Sequence, residues 1–224
     1  MIFAVAGTTG KDLYYTSRPA IGGAWTPIAK LPFDADATSE ESPRFSGDDL
    51  TLYFATDRGT SGTLDIYSAT RTMTGTNTAW AAKPQPVLGV NTGAVEKWLA
   101  PCGTNRYVVV RNNTATGSDL YEGTFGGGDP APIDALNTAS NETGAFLTQD
   151  CLTLYFASNR KTRVQIYVSQ RKAIGQPWQP AQPVDDLKIT GTDDQQDPWL
   201  SADGHSFAFA SDAGGTNDVY LSTR

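Results

Sequence analysis

Asp48-Asp49-Leu50-Thr51-Leu52-Tyr53-Phe54-Ala55-Thr56-Asp57-Arg58-Gly59-Thr60-Ser61-Gly62-Thr63-Leu64-Asp65-Ile66-Tyr67-Ser68-Ala69-Thr70-Arg71 holds a turn, a strand-length apolar run, a Gly/Ser/Thr break and the tripeptide Asp-Ile-Tyr. The tripeptide, an acid or amide followed by an aliphatic residue and tyrosine, recurs as Asp12-Leu13-Tyr14, Asp119-Leu120-Tyr121, Gln165-Ile166-Tyr167 and Asp218-Val219-Tyr220. The tyrosines stand 53, 54, 46 and 53 residues apart, and Arg18, Arg71, Arg171 and Arg224 each follow one by four. Periods of this size mark repeat architectures.

Working outward, each tripeptide has an apolar run ahead of it: Ile2 to Ala6, Leu50 to Ala55, Tyr107 to Val110, Leu152 to Ala157 and Ser206 to Ala210. Their β-branched and aromatic content predicts strands. Four of the five are preceded by a further segment ending in a turn rich in Ser/Thr, Asp or Gly, such as Phe45-Ser46-Gly47-Asp48 and Leu200-Ser201-Ala202-Asp203-Gly204. A fourth segment is expected around Trp25-Thr26-Pro27, Trp80-Ala81-Ala82, Pro130-Ala131-Pro132 and Trp178-Gln179-Pro180, where proline suits an outer edge. Each unit then reads as a four-stranded antiparallel meander with strands A to D, apolar on both faces, so it needs sheets stacked beside it. The fold class is all-β, a five-bladed β-propeller with repeats at about 1–31, 32–87, 88–136, 137–184 and 185–224 of one domain spanning 1–224. Copy one has no strand A and copy five no strand D, giving eighteen strands. Either the first and last blades are incomplete, or flanking residues belong to the natural protein; the abrupt start inside a strand favours a trimmed domain.

Composition narrows function. Twenty-two Gly and thirteen Pro disfavour helices. A net charge of −7 repels phosphate backbones, which argues against nucleic-acid partners. No stretch approaches the ~20 consecutive apolar residues of a spanning helix. The single histidine, His205, and only two cysteines leave no Cys/His zinc cluster and no complete catalytic set. Cys102 and Cys151 fall in the A–B turns of neighbouring repeats. A disulfide would need their Cα atoms within about 4.4–6.8 Å, and an offset of three places in the repeat argues against that juxtaposition.

Ser42-Pro43-Arg44-Phe45-Ser46 with Leu52-Tyr53-Phe54-Ala55-Thr56-Asp57-Arg58 and Asp65-Ile66-Tyr67, and again Leu154-Tyr155-Phe156-Ala157-Ser158-Asn159-Arg160, resembles the WD-like repeat of bacterial TolB-type propellers. The resemblance covers nearly the whole chain and is specific for fold. It implies a bacterial protein, periplasmic or secreted, although the TolB propeller has six blades. It further implies that the D-to-A and B-to-C loops share the face holding most binding sites.

Eleven of the twenty-four acids fall in the D-to-A stretches: Asp34, Asp36, Glu40, Glu41, Glu96, Glu142, Asp185, Asp186, Asp193, Asp194 and Asp197. That face is expected to be negative and to attract a basic peptide, a cation or a polyhydroxylated ligand. Glu41, Glu96, Glu142 and Asp197 precede or enter strand A, where close carboxylates can take up calcium or act as an acid and base pair. Trp98 and Trp199, with Arg44 and Phe146 at neighbouring repeat positions, could anchor a peptide or stack on a sugar. The repeated aspartate, tyrosine and tryptophan positions read instead as blade packing. The expected function is a non-catalytic recognition module for a protein or peptide; a five-bladed glycosidase-like enzyme and a multivalent sugar-binding lectin are the alternatives. No catalytic residue, resident metal or cofactor is assigned.

Overall fold

The computed structural model describes the chain except residues 21, 35–36, 60–61, 75–76, 82, 114, 186, 188–192 and 224. The described residues contain no α-helix and nineteen strands. They fall into five successive antiparallel meanders, and the fold class is the five-bladed β-propeller that the repeat predicts. Two compact units divide the chain, Met1–Lys97 and Trp98–Arg224.

In the first unit, β1 (Ile2–Ala6), β2 (Lys11–Tyr15) and β3 (Ala29–Lys30) form a three-stranded sheet. It is followed by β4 (Glu40–Phe45), β5 (Thr51–Thr56), β6 (Asp65–Thr74), β7 (Asn77–Trp80) and β8 (Gln85–Pro86). The two sheets pack face to face through β1, β2 and β4, over a core of Leu13, Leu31, Phe33, Leu52, Phe54 and Ala69. β9 (Val95–Cys102) runs from this unit into the second, where it edges β10 (Arg106–Asn113), β11 (Gly117–Thr124) and β12 (Ala131–Pro132). Next come β13 (Glu142–Leu147), β14 (Thr153–Ser158), β15 (Gln165–Gln170) and β16 (Gln182–Pro183), then β17 (Gln195–Leu200), β18 (Ser206–Ser211) and β19 (Asp218–Thr223). A second core joins the β9–β12 and β13–β16 sheets through Val108, Val110, Leu120, Leu136, Leu154, Phe156 and Trp178. The continuous apolar runs form the inner strands β5, β10 and β14, buried from both sides as their composition requires.

Four differences from the sequence reading stand out. The nineteenth strand is β7, which pairs with the far half of the ten-residue β6 and makes an extra hairpin. The outermost strands lie beyond the tryptophans, as two-residue segments in which Pro86, Pro132 and Pro183 face the tyrosines Tyr67, Tyr121 and Tyr167. So short an edge spares proline from donating a ladder bond. Strands β4, β13 and β17 each carry a β-bulge, at Glu41/Arg44, Thr143/Phe146 and Gln196/Trp199. The cysteines do pair: Cys102 and Cys151 form a disulfide with Cα atoms 5.4 Å apart. The sequence alignment misjudged them because β9 runs on through Cys102, which brings it level with the turn holding Cys151.

Candidate functional site

The buried carboxylates come first, because they decide which acids are open to a ligand. Glu40, Glu96 and Glu142 occupy one repeat position and are fully buried. Glu142 accepts hydrogen bonds from the Thr138 amide and hydroxyl, from Ser158 Oγ at 2.8 Å and from Arg160 at 3.1 Å. Glu96 accepts from the Thr92 amide and hydroxyl, and Glu40 from Thr38, Thr56 and Arg58. The arginines complete the lock: Arg160 also donates to the Leu136 carbonyl and lies 4.7 Å over the Tyr167 ring, while Arg58 covers Phe54 and Tyr67. Thus Thr56-Asp57-Arg58 and Ser158-Asn159-Arg160 fasten strand B to the start of strand A. The sequence groups Glu41, not Glu40, with Glu96, Glu142 and Asp197 as residues just before strand A, without a shared repeat position among the four. Asn91-Thr92-x-x-x-Glu96 and Asn137-Thr138-x-x-x-Glu142 were the signal that identifies the position.

Neighbouring Glu40 and Glu41 have opposite environments. Burial holds the Glu40 carboxyl above the usual glutamate range, more than the Thr38 and Arg58 hydrogen bonds offset. Burial also pushes Glu41 up, but Lys11 at 2.6 Å and Lys97 at 3.0 Å outweigh it and leave Glu41 below that range. Asp12, Asp34 and Glu40 bring carboxylate oxygens within 4.8 Å of one another, and the Lys30 ammonium reaches Asp12 at 3.0 Å and Asp34 at 2.9 Å. Asp36 and Asp186 lie outside the described residues.

The remaining candidates meet at the bulges. A left-handed residue lies within each of the bulges of β4, β13 and β17, at Ser42, Gly144 and Asp197 with φ of 58°, 59° and 53°, and β9 has one at Trp98 with φ of 48°. Glycine adopts this region freely, whereas tryptophan there is an outlier of the kind that collects at binding sites. In the second unit three of these residues come together. Trp98 Nε1 donates to Asp197 Oδ1 at 2.7 Å across 99 residues of sequence. A Cβ on Gly144 would stand 3.0 Å from the Asp197 amide nitrogen, so glycine permits that approach. Two residues on, Trp199 is 43% exposed, and Phe146, at the equivalent position of its strand, is half-buried and packs on Tyr155. Arg44 occupies the matching place on β4 in the first unit and donates to the Pro43 carbonyl. The sequence reading found Trp98, Asp197 and Trp199 but not the bulge, which has no residue signature beyond Pro43 and Pro198 after the left-handed position.

The repeated residues are structural. Arg18, Arg71 and Arg171 stack on Trp25, Trp80 and Trp178, and Arg71 and Arg171 also donate to the carbonyls of Asp49 and Cys151. His205 is exposed in its turn, with its amide on Asp203.

No protein-family model matches the chain, and comparison with curated proteins finds no relative. Solved structures do resemble it. A protein described as TolB from Agrobacterium tumefaciens superposes with a TM-score of 0.59 at 13% identity, over 99% of this chain and 73% of the other. TolB from Acinetobacter baumannii gives 0.56 at 15% identity, over 99% of this chain and 52% of that one, so the chain spans about half its length. In fold, this chain is similar to the TolB-type β-propellers.

Proposed function

We propose that the chain is a non-catalytic recognition module that holds a protein or peptide partner on its acidic loop face, in the periplasm or outside the cell. The observation that carries this reading is the pair Trp98 and Asp197, both left-handed and Trp98 an outlier for so bulky a side chain, joined by one hydrogen bond beside the exposed Trp199. Strain of about 1–3 kcal/mol at Trp98 persists only where the surrounding structure enforces it, and the hydrogen bond fixes a carboxylate and an aromatic side by side. Such a pair suits a basic side chain next to an apolar anchor. The net charge of −7 assists the approach of a cationic segment. The Cys102–Cys151 disulfide supports an oxidising compartment.

A Lys/Arg-rich peptide library passed over the immobilised protein tests the reading. Retained peptides should lose at least about tenfold in affinity, near 1.4 kcal/mol, with Asp197→Asn and with Trp199→Ala, at unchanged melting temperature. A library with no retained peptide, or peptides indifferent to both variants, sinks it.

A further inference from the structure

A cavity of about 640 Å³ lies within the second unit, between the β10–β12 part of one sheet and the segment 171–178 that follows β15. At its buried end Glu122 accepts hydrogen bonds from Arg171 Nη1 at 2.9 Å, from Trp178 Nε1 at 3.3 Å and from Arg106 Nη1 at 3.5 Å. Two of these residues depart from the repeat. Glu122 follows the repeat tyrosine, where the other copies have Tyr15, Ser68, Val168 and Leu221. Arg106 pairs with the residue three past that tyrosine, where Thr51, Thr153 and Ser206 stand in other copies. The matching tryptophan of the first unit, Trp80, packs on Phe33 and Phe45 and has no such carboxylate. Residues that hold blades together recur from copy to copy, whereas charged groups found in one copy and gathered at a cavity point to a ligand.

The charges at that end do not balance, because two guanidinium groups face one carboxylate. Arg171, whose side chain is 2% exposed, donates Nε to the Cys151 carbonyl at 2.8 Å and Nη1 to Glu122, and among the described residues its Nη2 has no acceptor. Arg106 meets Glu122 only at the limit of hydrogen-bond distance and is 34% exposed. One positive charge in excess and a spare donor are what a carboxylate completes. The exposed end has the opposite sign: Asp134 lines it together with Asp129, which Arg111 holds at 2.9 Å. These acids repel a dianion such as phosphate and attract an ammonium group. Pro132, Ile133 and Pro177 supply apolar wall between the two ends, and the volume falls within the ~300–1,000 Å³ of small-molecule sites.

We propose that this cavity binds a small zwitterion, an apolar α-amino acid or a short oligopeptide of such residues. The carboxylate docks against Arg106 and Arg171, the apolar body lies along Pro132, Ile133 and Pro177, and the amino group faces Asp134. The proposal is independent of the loop-face reading, since it uses none of the same side chains.

Calorimetric titration of the intact protein with leucine, trileucine, leucinamide, N-acetylleucine and inorganic phosphate is the test. Saturable binding of leucine or trileucine is expected, and the tighter of the two tells a free amino acid from a peptide. Leucinamide, which lacks the carboxylate, should bind at least about tenfold more weakly than leucine, and so should every probe to Arg106→Gln at an unchanged melting temperature. Asp134→Asn should weaken leucine but leave N-acetylleucine, which has no ammonium group, unchanged, a pattern that a mere change of cavity shape does not give. Because the leucine and leucinamide comparison leaves the protein untouched, the test stays decisive if Arg106→Gln misfolds. Binding of neither leucine nor trileucine, leucinamide held as tightly as leucine, or affinity indifferent to Arg106→Gln overturns the proposal. So does tighter binding of phosphate, because the acids at the exposed end then select nothing.

Discussion

The β13–β16 and β17–β19 sheets are built from the same repeat, yet they differ in what each position experiences. Glu142 is held by Thr138, Ser158 and Arg160; the same position on β17 is Gln195, whose side-chain amide donates to the Leu187 carbonyl, and Ala213 stands where Arg160 would be. Sequence similarity between repeats therefore does not transmit a side chain's partners, because these are supplied by the neighbouring segment.

The largest effect that separates the two sheets should come from Glu142→Ala. It strands the Arg160 guanidinium, whose side chain is only 18% exposed, and should cost about 3–5 kcal/mol in urea unfolding. Gln195→Ala removes one neutral hydrogen bond and should cost about 1 kcal/mol. Equal losses at the two positions would break the contrast. Next, Ile166→Ala should cost about 2–5 kcal/mol through the cavity it leaves. Third, replacing both Cys102 and Cys151 by serine should cost about 2–4 kcal/mol. The faster hydrogen exchange should appear in β9–β16 rather than in β17–β19, where no cross-link exists.

The smallest effect sharpens a second contrast, between Glu40 and Glu41. Because the folded pKa of Glu41 is lowered, its contribution is fully present above the ordinary glutamate range and is lost as pH falls through the lowered value. Glu40 runs the other way. Its folded pKa is raised, so the ionised form opposes folding above that value, and acidification through it relieves the opposition. Stability curves from neutral to acid pH should flatten at the upper end in Glu40→Gln and at the lower end in Glu41→Gln. The Glu41 effect should stay below about 1 kcal/mol, because Lys11 is half exposed. Identical curves for the two variants would mean that the neighbours do not set these acids apart.

Much of the fold was legible because strand formation follows local pattern. The apolar run Leu152 to Ala157 became β14, and Ser206 to Ala210 became β18, within a residue or two at each end. The acids were harder to read. Glu41, Glu96 and Glu142 stand out in sequence by their place just before strand A, where an open mouth is expected, yet all three are buried. Loop acids look alike in sequence whether they face water or an arginine. Trp98 and Asp197 were legible as candidates but not as a pair, since their contact crosses two sheet boundaries.

The sequence by itself determined the five repeats, the meander within each and the residues on both faces of every inner strand, because side-chain alternation and turn chemistry act over a few residues. Tertiary structure alone decided two things: which carboxylates are internal struts, and that Cys102 meets Cys151. Each depends on the partner that another sheet or another segment brings to the residue. Partners separated by 16 to 99 residues lie beyond the reach of side-chain alternation and turn chemistry, which act over a few residues.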